Sequence, residues 1–220
     1  MSVIEIKTHP ITHIIVRDFL DVTSRQKLVE SLLPIRDNHL ERLISPPKEK
    51  RLTDEDWDQL EIYRKAAWLH DVLEENPTLN RDCIDILDSN MRRDDIRKAC
   101  EDTNDLLFCT HAAFSNEGAM LFSQYETGGK MIWHSDHGPV CSASYIFKFD
   151  DQDCLEGDFL LSGFMKSGKK PLQENIVTYP FEDNFLIIFP AKALHRVTQV
   201  IGYRNSIQYF AGYEGWKVLE

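Results

Sequence analysis

The hydrophobic pattern of the chain changes period near residue 105. Before that point apolar residues recur mainly at helical steps; after it they fall into short runs separated by turn residues. The first half opens with a strand signal at residues 13–19 (HIIVRDF), where β-branched residues cluster. Residues 24–33 follow as a helix with Leu28, Leu32 and Leu33 on one side, and Pro34 is expected to end it. Thr53 caps a further helix whose first turn is acidic (TDEDW), as the helix dipole favours; it runs to about residue 75. Trp57, Leu60, Tyr63 and Ala67 recur along it at helical steps, and Trp68 and Val72 form an i,i+4 pair. A third helical stretch spans about residues 80–101.

The second half reads as about eight strands: LLFCTHAAF, AMLFSQYE, CSASYIFKF, DFLLSGF, NIVTYPF, FLIIFP, LHRVTQV and NSIQYFAGY. Their number and spacing suit an antiparallel sandwich or barrel. The expected architecture is α+β. A mainly helical N-terminal layer, residues 1–104, supports a β core of residues 105–220, and the two form one structural unit. Residues 34–52 carry Pro46, Pro47 and many charges and are read as a mobile connection, and residues 34–60 are the candidate lid.

Composition adds limits. With 220 residues and 42% apolar content, the chain can bury a core without disulfide staples. The formal net charge of -11 repels phosphate backbones, so a nucleic-acid partner is not expected. The five cysteines are Cys83, Cys100, Cys109, Cys141 and Cys154. Their odd number and the lack of a CxxC pair argue against a disulfide framework and a structural zinc site. Cys109 and Cys141 read as buried small hydrophobes, and a reducing, cytoplasmic setting is the default. The N-terminus lacks a signal-peptide pattern, and no run approaches the roughly 18 apolar residues of a membrane span. A monomer or homodimer is expected.

Candidate chemistry centres on MIWHSDHG. If His134 and Asp136 lie on a strand, they share a face and can converge on one ion. His195, in FPAKALHRV, is the candidate third ligand. Two histidines and one carboxylate make the facial triad of non-haem iron(II) oxygenases, which leaves room for a bidentate co-substrate and O2. Arg204 lies near the start of the last strand, where its planar fork can take a carboxylate. Ser206, two positions on, shares its face. His137 points to the opposite face from Asp136 and is not read as a ligand. His111 and Trp133 read as core or edge residues, Gly128-Gly129 as a turn, and Trp216 as closing one end of the barrel. On the residues alone, a non-catalytic jelly-roll module and a zinc hydrolase with the same ligands stay open, though zinc would leave Arg204 without a role.

Three stretches carry a family resemblance: YETGGKMIWHSD, Glu156-Gly157-Asp158-Phe159, and FLIIFPAKALHRVTQVIGYRNSIQYF. The chain resembles the 2-oxoglutarate and iron(II)-dependent dioxygenases, within them the prolyl 4-hydroxylase-like branch. The resemblance covers residues 105–213 well and residues 13–33 loosely. It implies a double-stranded β-helix, or jelly roll. It also implies His134, Asp136 and His195 as iron ligands and Arg204 on the distal carboxylate of 2-oxoglutarate. Tyr125 would donate a hydrogen bond to the same co-substrate, and Tyr145 would act similarly. O2 is the second co-substrate, and ascorbate an optional auxiliary. The implied reaction hydroxylates a C–H bond and decarboxylates 2-oxoglutarate to succinate. The implied substrate is a prolyl or other residue in a peptide or protein; a free amino acid or small metabolite is the alternative. Two departures stand out. Asp158 replaces the second glycine of the Glu-Gly-Gly turn, and Arg204 stands where collagen-type and plant-type prolyl hydroxylases usually carry lysine.

Overall fold

The computed structural model describes residues 2–43, 64–103, 106, 120–136, 141–163 and 171–211. Within them the chain runs through strands β1 (Val3–Lys7) and β2 (His13–Arg17), helix α1 (Val22–Asn38), and strands β3 (Glu41–Leu43) and β4 (Arg64–Trp68). Helices α2 (Leu69–Glu75), α3 (Asp82–Met91) and α4 (Asp94–Glu101) follow. Ten further strands complete it: β5 (Met120–Tyr125), β6 (Met131–His134), β7 (Cys141–Phe147), β8 (Cys154–Glu156), β9 (Phe159–Ser162), β10 (Ile176–Tyr179), β11 (Phe185–Pro190), β12 (His195–Val197), β13 (Ile201–Gly202) and β14 (Arg204–Ala211).

Eight strands form a major sheet in the order β1-β2-β11-β7-β14-β5-β4-β3. A minor sheet has the order β10-β9-β12-β6, and β13 pairs with β8 as a short ribbon. The strands pair antiparallel throughout. The fold is the α+β jelly roll expected.

Strand periodicity decides which core each side chain enters. On β11, Leu186 and Ile188 join one apolar cluster with helices α1, α3 and α4, whereas Phe185, Ile187 and Phe189 join another. That second cluster lies between the sheets, where Ile15, Ile146 and Tyr125 of the major sheet meet Met131, Phe159, Leu161 and Val197 of the minor one. Both faces of β2 and β11 are covered, so these strands read as continuous apolar runs (HIIV, FLIIF) instead of alternating.

Several expectations need correction. Helix α1 does not stop at Pro34; it continues to Asn38. A proline inside a helix costs about 3 kcal/mol. Leu32 and Ile35, both fully buried, offset that by holding the last turns against the core. Residues 34–38 of the candidate lid therefore belong to α1 and residues 41–43 to β3, and residues 44–60 lie outside the described residues, as do Thr53, Trp57, Leu60 and Tyr63. The expected helix to residue 75 is a strand over Arg64–Trp68, because this segment hydrogen-bonds along β5, with Lys65 opposite Gln124 and Ala67 opposite Phe122. Tertiary pairing thus overrides the helical spacing, and Trp68 ends the strand instead of sharing a helix with Val72. The stretch 80–101 is two helices, broken at Arg92 and Arg93. Seven of the expected C-terminal strands form; LLFCTHAAF, with Cys109 and His111, lies almost wholly outside the described residues, as do His137 and Trp216. Cys141 is buried as expected but is disulfide-bonded, so the lack of a local CxxC did not exclude a bridge made by the fold. Among the described residues no helix is long and apolar enough to cross a membrane.

Candidate active site

Strands β6 and β12 lie side by side in the minor sheet with His134 directly opposite His195. This register brings the two imidazoles together, ring centroids 4.1 Å apart. Asp136 joins them by a different route from the one expected. It lies two residues beyond the end of β6, so strand alternation does not place it. Its backbone N–H donates to the Ala191 carbonyl (2.9 Å), and its carboxylate accepts from the Ser142 hydroxyl (2.6 Å). The carboxylate stands 3.8 Å from His134 Nε2 and 3.7 Å from His195 Nε2. One potential ligand atom from each of the three residues falls within a 4.8 Å cluster. Two ligand atoms each about 2.1 Å from one ion lie at most about 4.2 Å apart, so the 3.7 and 3.8 Å separations are within the reach of a single ion.

The remaining ring nitrogens are committed elsewhere. His134 Nδ1 faces the Ile132 carbonyl at 2.9 Å, and His195 Nδ1 faces the Ala193 carbonyl at 3.1 Å. A carbonyl can only accept, so Nδ1 carries the proton and Nε2 keeps its lone pair for a metal. Burial, reinforced by the neighbouring His195, holds His134 well below the usual histidine range, so it is neutral at physiological pH. Phe189 and Phe159 pack on the His195 ring at centroid distances of 4.8 and 5.8 Å and wall off that side.

Arg204 opens β14 and lines the same pocket as the three residues. Only 1% of it is exposed. Its Nε donates to the Gly157 carbonyl (3.1 Å) and one Nη to the Ser206 hydroxyl (3.2 Å), while the other Nη is buried with no partner. Burial lowers its pKa from the ordinary value. An unpaired buried guanidinium is costly, and a carboxylate docked on the unpartnered Nη would satisfy it. Tyr125 lies beside it, with the Arg204 guanidinium 5.6 Å from the ring centroid. The residues present therefore fit both a metal and an acidic co-substrate. Ser206 contacts Arg204 and also accepts from Gln208 Nε2 (2.7 Å).

Tyr145 is a correction. Residues alternate along β7, so Ser142 and Ser144 face the pocket while Tyr145 faces the helices. Its ring stacks on Phe147 and its hydroxyl donates to Asn184 Oδ1 (3.2 Å). It is a core residue outside the site. Other pocket residues were missed in the sequence. Gln208 continues the 204, 206, 208 alternation of β14 and was legible from it. Arg64 was hidden by the helical reading of its segment.

Gly157 has its own constraint. Its φ is +143°, and a Cβ there would lie 3.0 Å from Val200 Cγ2 and 3.1 Å from Arg204 Cδ. Gly157→Ala is expected to lower stability by about 1–3 kcal/mol in urea titrations, from backbone strain and collision with the guanidinium stem.

A prolyl hydroxylase from Trichoplax adhaerens, in complex with a hypoxia inducible factor peptide fragment, aligns over 94% of this chain and 87% of its own, with TM-score 0.57 and 14% identity. A prolyl-4-hydroxylase from Pseudomonas putida aligns over 93% of both chains, with TM-score 0.54 and 19% identity. The chain has the prolyl hydroxylase fold. The same fold extends to the α-ketoglutarate-dependent epimerase SnoN, whose complex with Fe3+, α-ketoglutarate and nogalamycin RO aligns over 90% of this chain and 78% of its own, with TM-score 0.51 and 10% identity. No family model and no curated protein matches the sequence.

Proposed function

We propose that the protein is a 2-oxoglutarate and iron(II)-dependent oxygenase that hydroxylates a C–H bond, with a prolyl or other residue of a peptide as its substrate. One observation carries this reading: a two-histidine, one-carboxylate cluster shares a pocket with a buried arginine that has an unpartnered Nη. When bound, iron(II) and 2-oxoglutarate supply oxidation by O2, with the 2-oxo acid leaving as succinate and CO2.

In this reading the side chains hold and orient, and none moves a proton. His134, Asp136 and His195 hold the metal through Nε2, a carboxylate oxygen and Nε2. Arg204 takes the distal carboxylate of 2-oxoglutarate, and Ser206 fixes the plane of its guanidinium. Tyr125 donates a hydrogen bond from its hydroxyl to the same co-substrate. Phe159 and Phe189 keep water from one side of the centre. Ser142 fixes Asp136, so Ser142→Ala is expected to weaken iron(II) binding about 10-fold, measured by competition with a chromophoric chelator.

The peptide substrate is favoured because the Trichoplax enzyme of this fold holds a peptide. A small-molecule substrate is the second reading, favoured by the nogalamycin complex of SnoN on the same fold. Anaerobically purified protein would be supplied with iron(II), 2-oxoglutarate and O2, and succinate followed with proline-bearing peptides or free amino acids. Succinate formation stimulated by one panel is expected. Absence of any succinate, with or without substrate, would make the chain a ligand-binding jelly roll instead.

A further inference from the structure

Arg64 opens β4 and lines the pocket beside the metal cluster, yet nothing in the proposed co-substrate chemistry uses it. One Nη donates to two neutral hydroxyls, Ser123 Oγ at 3.2 Å and Tyr125 Oη at 3.5 Å. Its Nε is buried with no partner. No carboxylate among the described residues pairs with it. Its neighbour Lys65 bonds Glu126 at 2.6 Å. Arg17, Arg25, Arg36, Arg92, Arg93 and Arg97, all outside the pocket, each pair with an acid. In a chain of net charge -11, the two arginines that line the pocket have no acid partner among the described residues, and Arg196, outside it, lies over the Trp133 ring instead.

Charge separates the roles of those two. With the site filled as proposed, the charges of iron(II), Asp136, a dianionic 2-oxo acid and Arg204 cancel. Arg64 is then left as one uncompensated positive charge, partly desolvated, bonded to the Tyr125 hydroxyl, while Arg204 meets the ring of the same tyrosine. Such a charge is costly unless an anion meets it, and a guanidinium with an unpartnered Nε suits a carboxylate. We propose that Arg64 is a specificity-determining residue that binds a carboxylate of the substrate. The inference rests on the oxygenase reading of the pocket. The carboxylate can belong to a free acid or to an acidic residue of a peptide; the chemistry recognised is the same.

The test uses matched pairs. One panel sets N-acetyl amino acids against their amides; the other sets short proline-bearing peptides with glutamate against glutamine. Binding to the full-length, iron(II)- and 2-oxoglutarate-loaded protein is measured anaerobically by calorimetry. At least one carboxylate is expected to bind about 10-fold tighter than its amide, and the panel in which it appears identifies the source. Arg64→Gln should bring each pair to within about twofold, and Arg64→Lys should restore part of the gap. The Kd for 2-oxoglutarate should change less than about twofold in both variants, and unchanged melting temperatures would show that the fold is kept. Equal binding of acids and amides by the unaltered protein would overturn the proposal. So would parallel weakening of 2-oxoglutarate in Arg64→Gln, which assigns Arg64 to the co-substrate. Failure of the oxygenase reading itself appears differently, as no 2-oxoglutarate binding by the metal-loaded unaltered protein, and takes this inference with it.

Discussion

Arg204→Met is expected to raise the Kd for 2-oxoglutarate about 100-fold while leaving the melting temperature of the ligand-free protein unchanged or higher. The two effects share a cause. Arg204 is almost completely buried, bonded to one carbonyl and one hydroxyl, with an Nη that meets nothing. No carboxylate of the described chain neutralises it, so the ligand-free fold carries the desolvation of a charge. Methionine keeps much of the volume and removes that cost. The ligand loses its charge-assisted bonds, each worth about 1.5–3 kcal/mol, and two of them account for the factor expected. Calorimetry on the metal-loaded protein measures the first effect and thermal denaturation the second. A variant that melts much lower while binding 2-oxoglutarate normally would make Arg204 a structural residue, against the role proposed.

The second large effect concerns the metal. A ligand that binds only the folded state stabilises it by about 2.7 kcal/mol at a concentration 100 times its Kd. For a chain of this length 1 kcal/mol moves the melting temperature by about 2–4 °C. Iron(II) is therefore expected to raise the melting temperature of the unaltered protein by about 5–10 °C under anaerobic conditions. His134→Ala should show almost none of that rise, because the ion loses one of three ligands held in a single cluster. The variant itself should fold, since His134 is half-buried at the end of a short strand and, among the described residues, its side chain hydrogen-bonds only to the Ile132 carbonyl. An equal rise in both proteins would place the metal elsewhere and remove the basis of the proposed function.

The extent to which the site was legible differs from residue to residue. His134, Asp136, His195 and Arg204 were each weak alone and informative through their spacing, and the fold does place all four around one pocket. The grounds were partly wrong: Asp136 arrives through bonds to Ala191 and Ser142 beyond the strand end, not through alternation along it. Tyr145 was misplaced because a single strand does not say which of its faces meets the helices and which the second sheet.

By itself the sequence determined the β-rich character of the second half, most of its strands, and the residue types capable of holding a metal and a carboxylate. Those features are local: strand alternation and the chemistry of a side chain need no partner to be recognised. Only the tertiary structure decided which face of β7 lines the pocket, that Arg64–Trp68 pairs along β5 instead of coiling, and that α1 runs through Pro34. Each of these is a competition between a local preference and burial or hydrogen bonding against a segment distant in sequence. The distant contact won because it satisfies backbone groups and removes apolar surface that the local alternative leaves in water.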